Sequence, residues 1–244
     1  MKGIEKEGAD FTVVIPAAGS SRRMGGVDKL LINLEGKPAI VRTLETFCAS
    51  PRISKIILVT LKEKFIILEK LMKKFFTNKV IEIVEGGKRR QDSVYNGILR
   101  ANTRYVMIHD GARPLLTKKL LQRLMAEVKG EIGCVPVIPV SDTIKIVDKD
   151  GFIIRTPSRE DLFQVQTPQI FLRELFIEAY QQVLKRGIIV TDESSVMEQS
   201  NYKIKTIPGS PDNIKLTTPE DVDIARIFLR KRERVLNAMS DSSE

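Results

Sequence analysis

Residues Phe11–Leu30, FTVVIPAAGSSRRMGGVDKL, decide how the chain reads. Phe11 to Ile15 is a short, largely β-branched apolar run, the pattern of a buried strand. Pro16, two alanines, Gly19, two serines, two arginines and the Gly25-Gly26 pair follow it. Small residues leave backbone N–H groups open to a ligand, and Arg22, Arg23 and Lys29 add positive charge. An apolar strand feeding a small-residue cationic loop suits phosphate binding.

Working outward, apolar β-branched runs alternate with helical spacing. Strands are expected at Thr12–Ile15, Lys55–Thr60, Val80–Val84, Tyr105–His109 and Cys134–Pro139. Helices are expected at Ala39–Ala49, Glu63–Phe76, Arg90–Ala101 and Thr117–Lys129. This alternation predicts an α/β, Rossmann-like fold: a mostly parallel sheet with helices on both faces. Ligands of such sheets bind beyond the carboxyl ends of the strands. Three polar, glycine-containing loops fall there: Ala17–Lys29, Gly86–Ser93 and Asp110–Pro114.

After Pro139 the pattern changes. Two short extended runs flank Asp148-Lys149-Asp150-Gly151, and Asp-Gly between them signals a hairpin. A β-arm at about 141–161 is expected to project from one domain spanning 1–244. So small an arm needs a partner surface, which points to a homodimer. A helix at 171–186, a short helix at Asp192–Gln199, a strand at Lys203–Ile207 and a closing helix from Pro219 to about Val235 complete the chain. The polar tail from Asn237 is expected to be disordered.

Composition excludes several classes. No apolar run approaches the roughly 18 residues of a membrane span, and MKGIEKEGAD has no apolar signal core. Cys48 and Cys134 read as reduced core thiols of a cytoplasmic protein. One histidine and no Cys/His cluster argue against a zinc site. The net charge of +9 is dispersed and aromatics are only 6%, so nucleic acid is not the expected partner.

The loops carry neither GxGxxG nor GxxxxGK[ST], so neither a dinucleotide fingerprint nor a P-loop is present. Arg23 and Lys29 are placed to hold the phosphates of a nucleoside triphosphate, whereas Arg22 reads as surface. Asp110 ends a strand, where a carboxylate can hold a divalent cation or a ribose hydroxyl. His109 reads as packed in the core, and Arg113-Pro114 as fixing the next turn. Gly86-Gly87 allows main-chain contact with a base edge, with Ser93 at the following helix start.

Taken in order, seven motifs resemble one family. They are P-A-A-G-x-x-x-R-M at 16–24, E-G-G at 85–87 with R-x-D-S at 90–93, H-D-x-A-R-P at 109–114, D-T-x-K at 142–145, Q-T-P-Q at 166–169, T-D-E at 191–193 and D-N-I-K at 212–215. Together they look like the 2-C-methyl-D-erythritol 4-phosphate cytidylyltransferases of non-mevalonate isoprenoid biosynthesis. The resemblance implies that CTP and methylerythritol phosphate give the CDP-alcohol and pyrophosphate, with Mg²⁺ (or another divalent cation). It implies that Ala17, Ala18 and Gly19 line the nucleotide site, and that Gly87, Lys88 and Ser93 take the cytosine. Asp110 and Gly111 would meet ribose and metal, and Arg23, Lys29 and Lys215 the phosphates. Thr143, Arg159 and Thr191 resemble residues that bind the alcohol phosphate, the arm crossing to a second subunit. Two positions depart from relatives: Lys88, where some carry Asp, and Gly111, where many carry Ala. A sister activity, ribitol 5-phosphate cytidylyltransfer, shares the nucleotide half and is the nearest rival reading. A dinucleotide-dependent oxidoreductase and a nucleic-acid-binding module are the others; the first lacks its fingerprint, and the second leaves the Asp110 and Gly86-Gly87 loops without a purpose.

Overall fold

Alternate residues of the central strands face opposite sides of one sheet, and each side has its own core. Val13 and Ile15, Ile56 and Leu58, and Met107 point to one face. Val14, Ile57 and Val59, and Val106 and Ile108 point to the other. This two-residue period, buried on both sides, is what a parallel sheet sandwiched by helices demands. The structure is a computed structural model and describes residues 10–19 and 24–241.

In chain order the elements are β1 (Phe11–Pro16), β2 (Asn33–Leu34), β3 (Lys37–Pro38), α1 (Ala39–Cys48), β4 (Ile53–Thr60) and α2 (Phe65–Phe75). Then come β5 (Val80–Glu85), α3 (Arg90–Ile98), β6 (Tyr105–Ile108), α4 (Lys118–Glu127) and β7 (Gly133–Pro139). The remainder is β8 (Ile146–Val147), β9 (Ile153–Arg155), β10 (Phe163–Val165), β11 (Gln169–Leu172), α5 (Arg173–Lys185), α6 (Glu193–Glu198), β12 (Ile204–Pro208) and α7 (Pro219–Asp241).

The main sheet runs β10-β7-β11-β6-β1-β4-β5, with β12 also paired to β7. Strands β6, β1, β4 and β5 are parallel, and β12 is parallel to β7. Residues of α1, α4 and α7 (Ile40, Leu44, Leu120, Leu124, Ala225) pack on one face. Residues of α3, α5 and α6 (Val94, Ile98, Phe176, Tyr180, Met197) cover the other. The expected α/β sheet with helices on both faces is therefore present.

Two expectations need correction. Phe171 and Leu172, with Gln169 and Ile170 before them, do not start a helix. They form β11, antiparallel to β6 and bridging to β7, and the helix begins only at Arg173. Their apolar spacing fits either element; only the open flank of β6 decides. Nor does the last helix stop near Val235. Without glycine or proline to break it, it continues to Asp241; Ser242–Glu244 lie outside the described residues.

The arm forms as expected, with β8 and β9 antiparallel. Its turn is closed by the Asp148 amide donating to the Phe152 carbonyl (2.9 Å), and Gly151 takes a φ of 89°.

α3 lies unusually close to the sheet. A Cβ on Gly97 would overlap the Val14 side chain and come within 2.8 Å of Val59 Cγ2. This close approach fixes the height of the C-terminal end of α3 above β1 and β4. Gly97→Ala should therefore cost about 1–3 kcal/mol, the range of overpacked cores. Urea unfolding at equilibrium checks it, and a midpoint unchanged from wild type would show that α3 can shift freely.

Candidate functional site

Pro16 ends β1, and the Ala17 amide donates to the Val59 carbonyl (2.7 Å) before the loop turns away. The Gly86 amide donates to the Thr60 carbonyl (2.8 Å), which brings the loop after β5 alongside. Here glycine is required twice. A Cβ on Gly86 would stand 2.9 Å from Ser93 Oγ, and one on Gly87 would overlap Asp92. Ser93 Oγ accepts the Gly87 amide (3.0 Å) and donates to the Arg89 carbonyl (3.2 Å), locking this loop onto α3.

Asp110, just beyond β6, is 7% exposed and faces three cations. Lys215 Nζ lies 2.8 Å from Oδ2, Arg90 3.1 Å from Oδ1 and Arg113 Nε 3.5 Å from Oδ2. Burial alone would push its carboxyl up, but Arg90, Lys215 and Arg113 outweigh it and hold it well below the usual carboxylate range. Arg90 is gripped in turn by Glu193, wholly buried, in a two-pronged pair of 2.5 and 3.0 Å.

Lys215 is brought in by backbone pairing. The Leu216 amide donates to the Ala112 carbonyl (2.8 Å), and Arg113 donates to the Asn213 carbonyl (2.7 Å). Lys29 Nζ donates to the Leu216 carbonyl (3.0 Å) from the opposite side.

His109 supports this loop from below. The Thr167 hydroxyl accepts the Asp110 amide (3.1 Å), so its proton goes to His109 Nδ1 (2.9 Å). That leaves the proton of the neutral ring on Nε2, where it donates to the Arg113 carbonyl (3.1 Å). Burial pushes the imidazole pKa down to about 4.

A cavity of about 430 Å³ gathers these pieces. Ala17, Ala18, Gly19, Lys29, Gly87, Lys88, Ser93, Asp110, Gly111 and Lys215 all line it, as do Arg89 and Arg90. Ser20–Arg23 lie outside the described residues, and with them the expectation for Arg23. A second cavity, about 450 Å³, shares Arg90, Asp110 and Lys215 with the first and adds Arg113, Thr167, Gln169, Thr191 and Asp192. Thr143 and Arg159 line neither cavity. Both are exposed, and Arg159 donates to the Ser141 carbonyl (2.8 Å) at the base of the arm. Sequence reasoning assigns Arg90 no site role and reads Arg113 as fixing the next turn, whereas both face Asp110. Arg90 opens the R-x-D-S motif, the one sequence signal that separated it from its basic neighbours.

Among the described residues no group of three His, Cys, Asp or Glu side chains is arranged to hold a metal. The ionised Asp110 carboxylate bears one ion pair on Oδ1 and two on Oδ2. Of its roughly four acceptor sites about one remains, on Oδ1. Such a donor suits Mg²⁺, which binds one or two carboxylates and takes its other ligands from phosphates and water.

The family model described as 2-C-methyl-D-erythritol 4-phosphate cytidylyltransferase matches residues 11–231. The chain belongs to that family. A relative of that name from Caldanaerobacter subterraneus subsp. tengcongensis is 41% identical over 226 residues, covering 91% of this chain and all of the relative. One from Dehalococcoides mccartyi is 41% identical over 228 residues, covering 93% of this chain and 97% of the relative. The crystal structure of the 4-diphosphocytidyl-2C-methyl-D-erythritol synthase from Anaerococcus prevotii superposes with a TM-score of 0.81 at 29% identity, covering 90% of this chain and 96% of that one. Among the described residues no helix is long and apolar enough to cross a membrane.

The depressed pKa of His109 gives a sign that can be tested. Below the ordinary histidine value of about 6.5 the unfolded chain takes up a proton that the native ring refuses. Stability is fullest above that pH and is lost progressively down to about 4, by about 3 kcal/mol from this group. As the sequence has one histidine, a single imidazole signal reports it in NMR. Titration near 6.5 in the native protein would contradict the buried, neutral ring.

Proposed function

We propose that this chain transfers the cytidylyl group of CTP to 2-C-methyl-D-erythritol 4-phosphate, releasing pyrophosphate. The observation that carries the reading is the pair of adjoining cavities with Asp110, Lys215 and Arg90 in their common wall. A triphosphate in one and a phosphate monoester in the other meet at that wall.

An oxygen of the acceptor phosphate attacks the α-phosphorus of CTP, and the bond from that phosphorus to the β-phosphate oxygen breaks. The monoester is already largely ionised at neutral pH, so no general base is demanded. The barrier is the approach of two anions, lowered by fixed cations. Lys29 and Lys215, with Arg23 by its motif position, hold the triphosphate and the charge that builds on the leaving pyrophosphate. Ala17, Ala18 and Gly19 give it a close backbone approach, Gly87, Lys88 and Ser93 take the base, and Gly111 the ribose. Mg²⁺, held by Asp110 with the phosphates, would supply further charge neutralisation. Thr191 belongs to the acceptor side.

The arm supports an assembly of two chains. Phe152 is 72% exposed, with Ile153 and Ile154 beside it, so an apolar tip stands in water unless a second copy covers it. We place Thr143 and Arg159 on the acceptor of the neighbouring subunit, and the enzyme in the cytoplasm.

Pyrophosphate release measured with CTP and each candidate alcohol phosphate tests the reaction. Turnover with methylerythritol phosphate at least a hundredfold above that with ribitol 5-phosphate is expected; the reverse preference overturns it. Lys29→Ala should lower kcat by about 10²–10³, the loss typical of a transition-state charge partner. An unchanged kcat would remove Lys29 from the chemistry. Phe152→Asp should shift the sedimenting species from dimer to monomer and raise KM for the alcohol phosphate. A monomeric wild type would refute the shared site.

A further inference from the structure

The segment from Ile188 to Glu193 carries Thr191 into the second cavity, yet its own backbone does little to hold it. Ile189 is largely exposed. The Val190 amide finds its acceptor on another element, in the side chain of Gln91. Gln91 is the second residue of α3 and only 5% exposed. Its Nε2 donates to the Ile188 carbonyl (3.2 Å), and its Oε1 accepts the Val190 amide (3.3 Å). Both ends of one buried amide are thus spent on the same short strip of chain. Arg90, one residue earlier, grips Glu193 at the strip's far end. Gln169 of β11 adds a third hold, accepting the Ser194 amide (2.8 Å) and donating to Asp192 (2.9 Å).

We infer that Gln91 is a positioning residue for the acceptor: it tethers Ile188 and Val190 so that Thr191 stands in the cavity beside Asp110 and Lys215. The inference rests on the reading of Thr191 as an acceptor contact. Its physical basis is that a loop with few internal bonds is ordered only where buried partners satisfy its backbone groups. Gln91 lies on the helix whose Ser93 also locks the Gly86-Gly87 loop. One helix turn therefore sets the acceptor segment and the base loop against each other.

The test is a double-mutant cycle with Gln91→Met and Thr191→Ala, reading KM for methylerythritol phosphate, KM for CTP, kcat and melting temperature. Gln91→Met keeps the volume and removes both hydrogen bonds. It should raise the acceptor KM about tenfold and leave the CTP KM within twofold. The double variant should match Thr191→Ala alone, because the tether acts only through Thr191. Gln91→Leu, of similar size and likewise without the amide, should raise the acceptor KM by the same factor. It serves if the Met variant is poorly folded. Equal rises in both KM values, or single effects that multiply in the double variant, overturn the inference. An acceptor KM that rises in Thr191→Ala but not in the Gln91 variants also overturns it and leaves the reading of Thr191 standing. An acceptor KM unmoved by Thr191→Ala overturns the reading of Thr191, and the inference with it.

Discussion

A buried carboxylate, Asp110, constrains more of this molecule than any other side chain. An ion removed from water costs several kcal/mol unless partners compensate it closely. Here Arg90 comes from the start of α3, Arg113 from the loop after β6, and Lys215 from the segment before α7. Three stretches far apart in sequence must therefore meet at the carboxyl end of the central strands. Glu193 adds a fourth, through Arg90. Three cations face these two carboxylates, and Asp192 on the wall of the second cavity offsets that excess. Lys29, docked on the Leu216 carbonyl, stands next to the cluster. A wall with its members already neutralised in part is a stable way to keep cations together.

The sheet makes that meeting possible by holding the loop roots at fixed spacings. Parallel strands β6, β1, β4 and β5 all end on the same edge, so the loops after β1, β5 and β6 emerge side by side. α3 then sets the height. It touches Val14 and Val59 through Gly97 and bonds the Gly86-Gly87 loop through Ser93, while its first two residues reach the segment from Ile188 to Glu193. The support below is polar as well as apolar. His109 and Thr167 pass one chain of hydrogen bonds from the Asp110 amide to the Arg113 carbonyl. Each group in that chain has one role open to it, which fixes the ring's tautomer and the loop's path together.

Much of this was legible before any coordinates, because it is written in local patterns. The two-residue apolar period names the strands, and the small-residue and Gly-Gly loops name the cavity's walls. What local pattern could not show is which polar residues are buried together. Beyond the R-x-D-S motif nothing separates Arg90 from Arg89, yet Arg89 pairs with Asp92 at the helix surface and Arg90 with the buried Glu193. Gln91 has no motif value at all until Ile188 and Val190 are seen above it. Phe171 and Leu172 suit a helix as well as a strand, and the contact that decides is with β6, some sixty residues earlier. In each case the missing information is a long-range partner, not a residue preference.

On the proposed function, the pairing of Asp110 with Lys215 and Arg90 bears on catalysis as well as on folding. A cation left unpaired in a partly buried wall would swing toward water and would need reordering when phosphate arrives. A cation held by a carboxylate is already at its post. Exchanging one anionic partner for another then costs little more than the difference between two ion pairs, whereas assembling the site from solvent would cost side-chain entropy for each residue. In the proposed reaction an incoming phosphate would draw a cation from the same carboxylate and leave it room for a divalent ion. On this view the internal ion pairs are a rest position of the working groups. In the proposed reaction Lys29, Lys215 and Arg90 would together offset the mutual repulsion of two phosphates at a common wall.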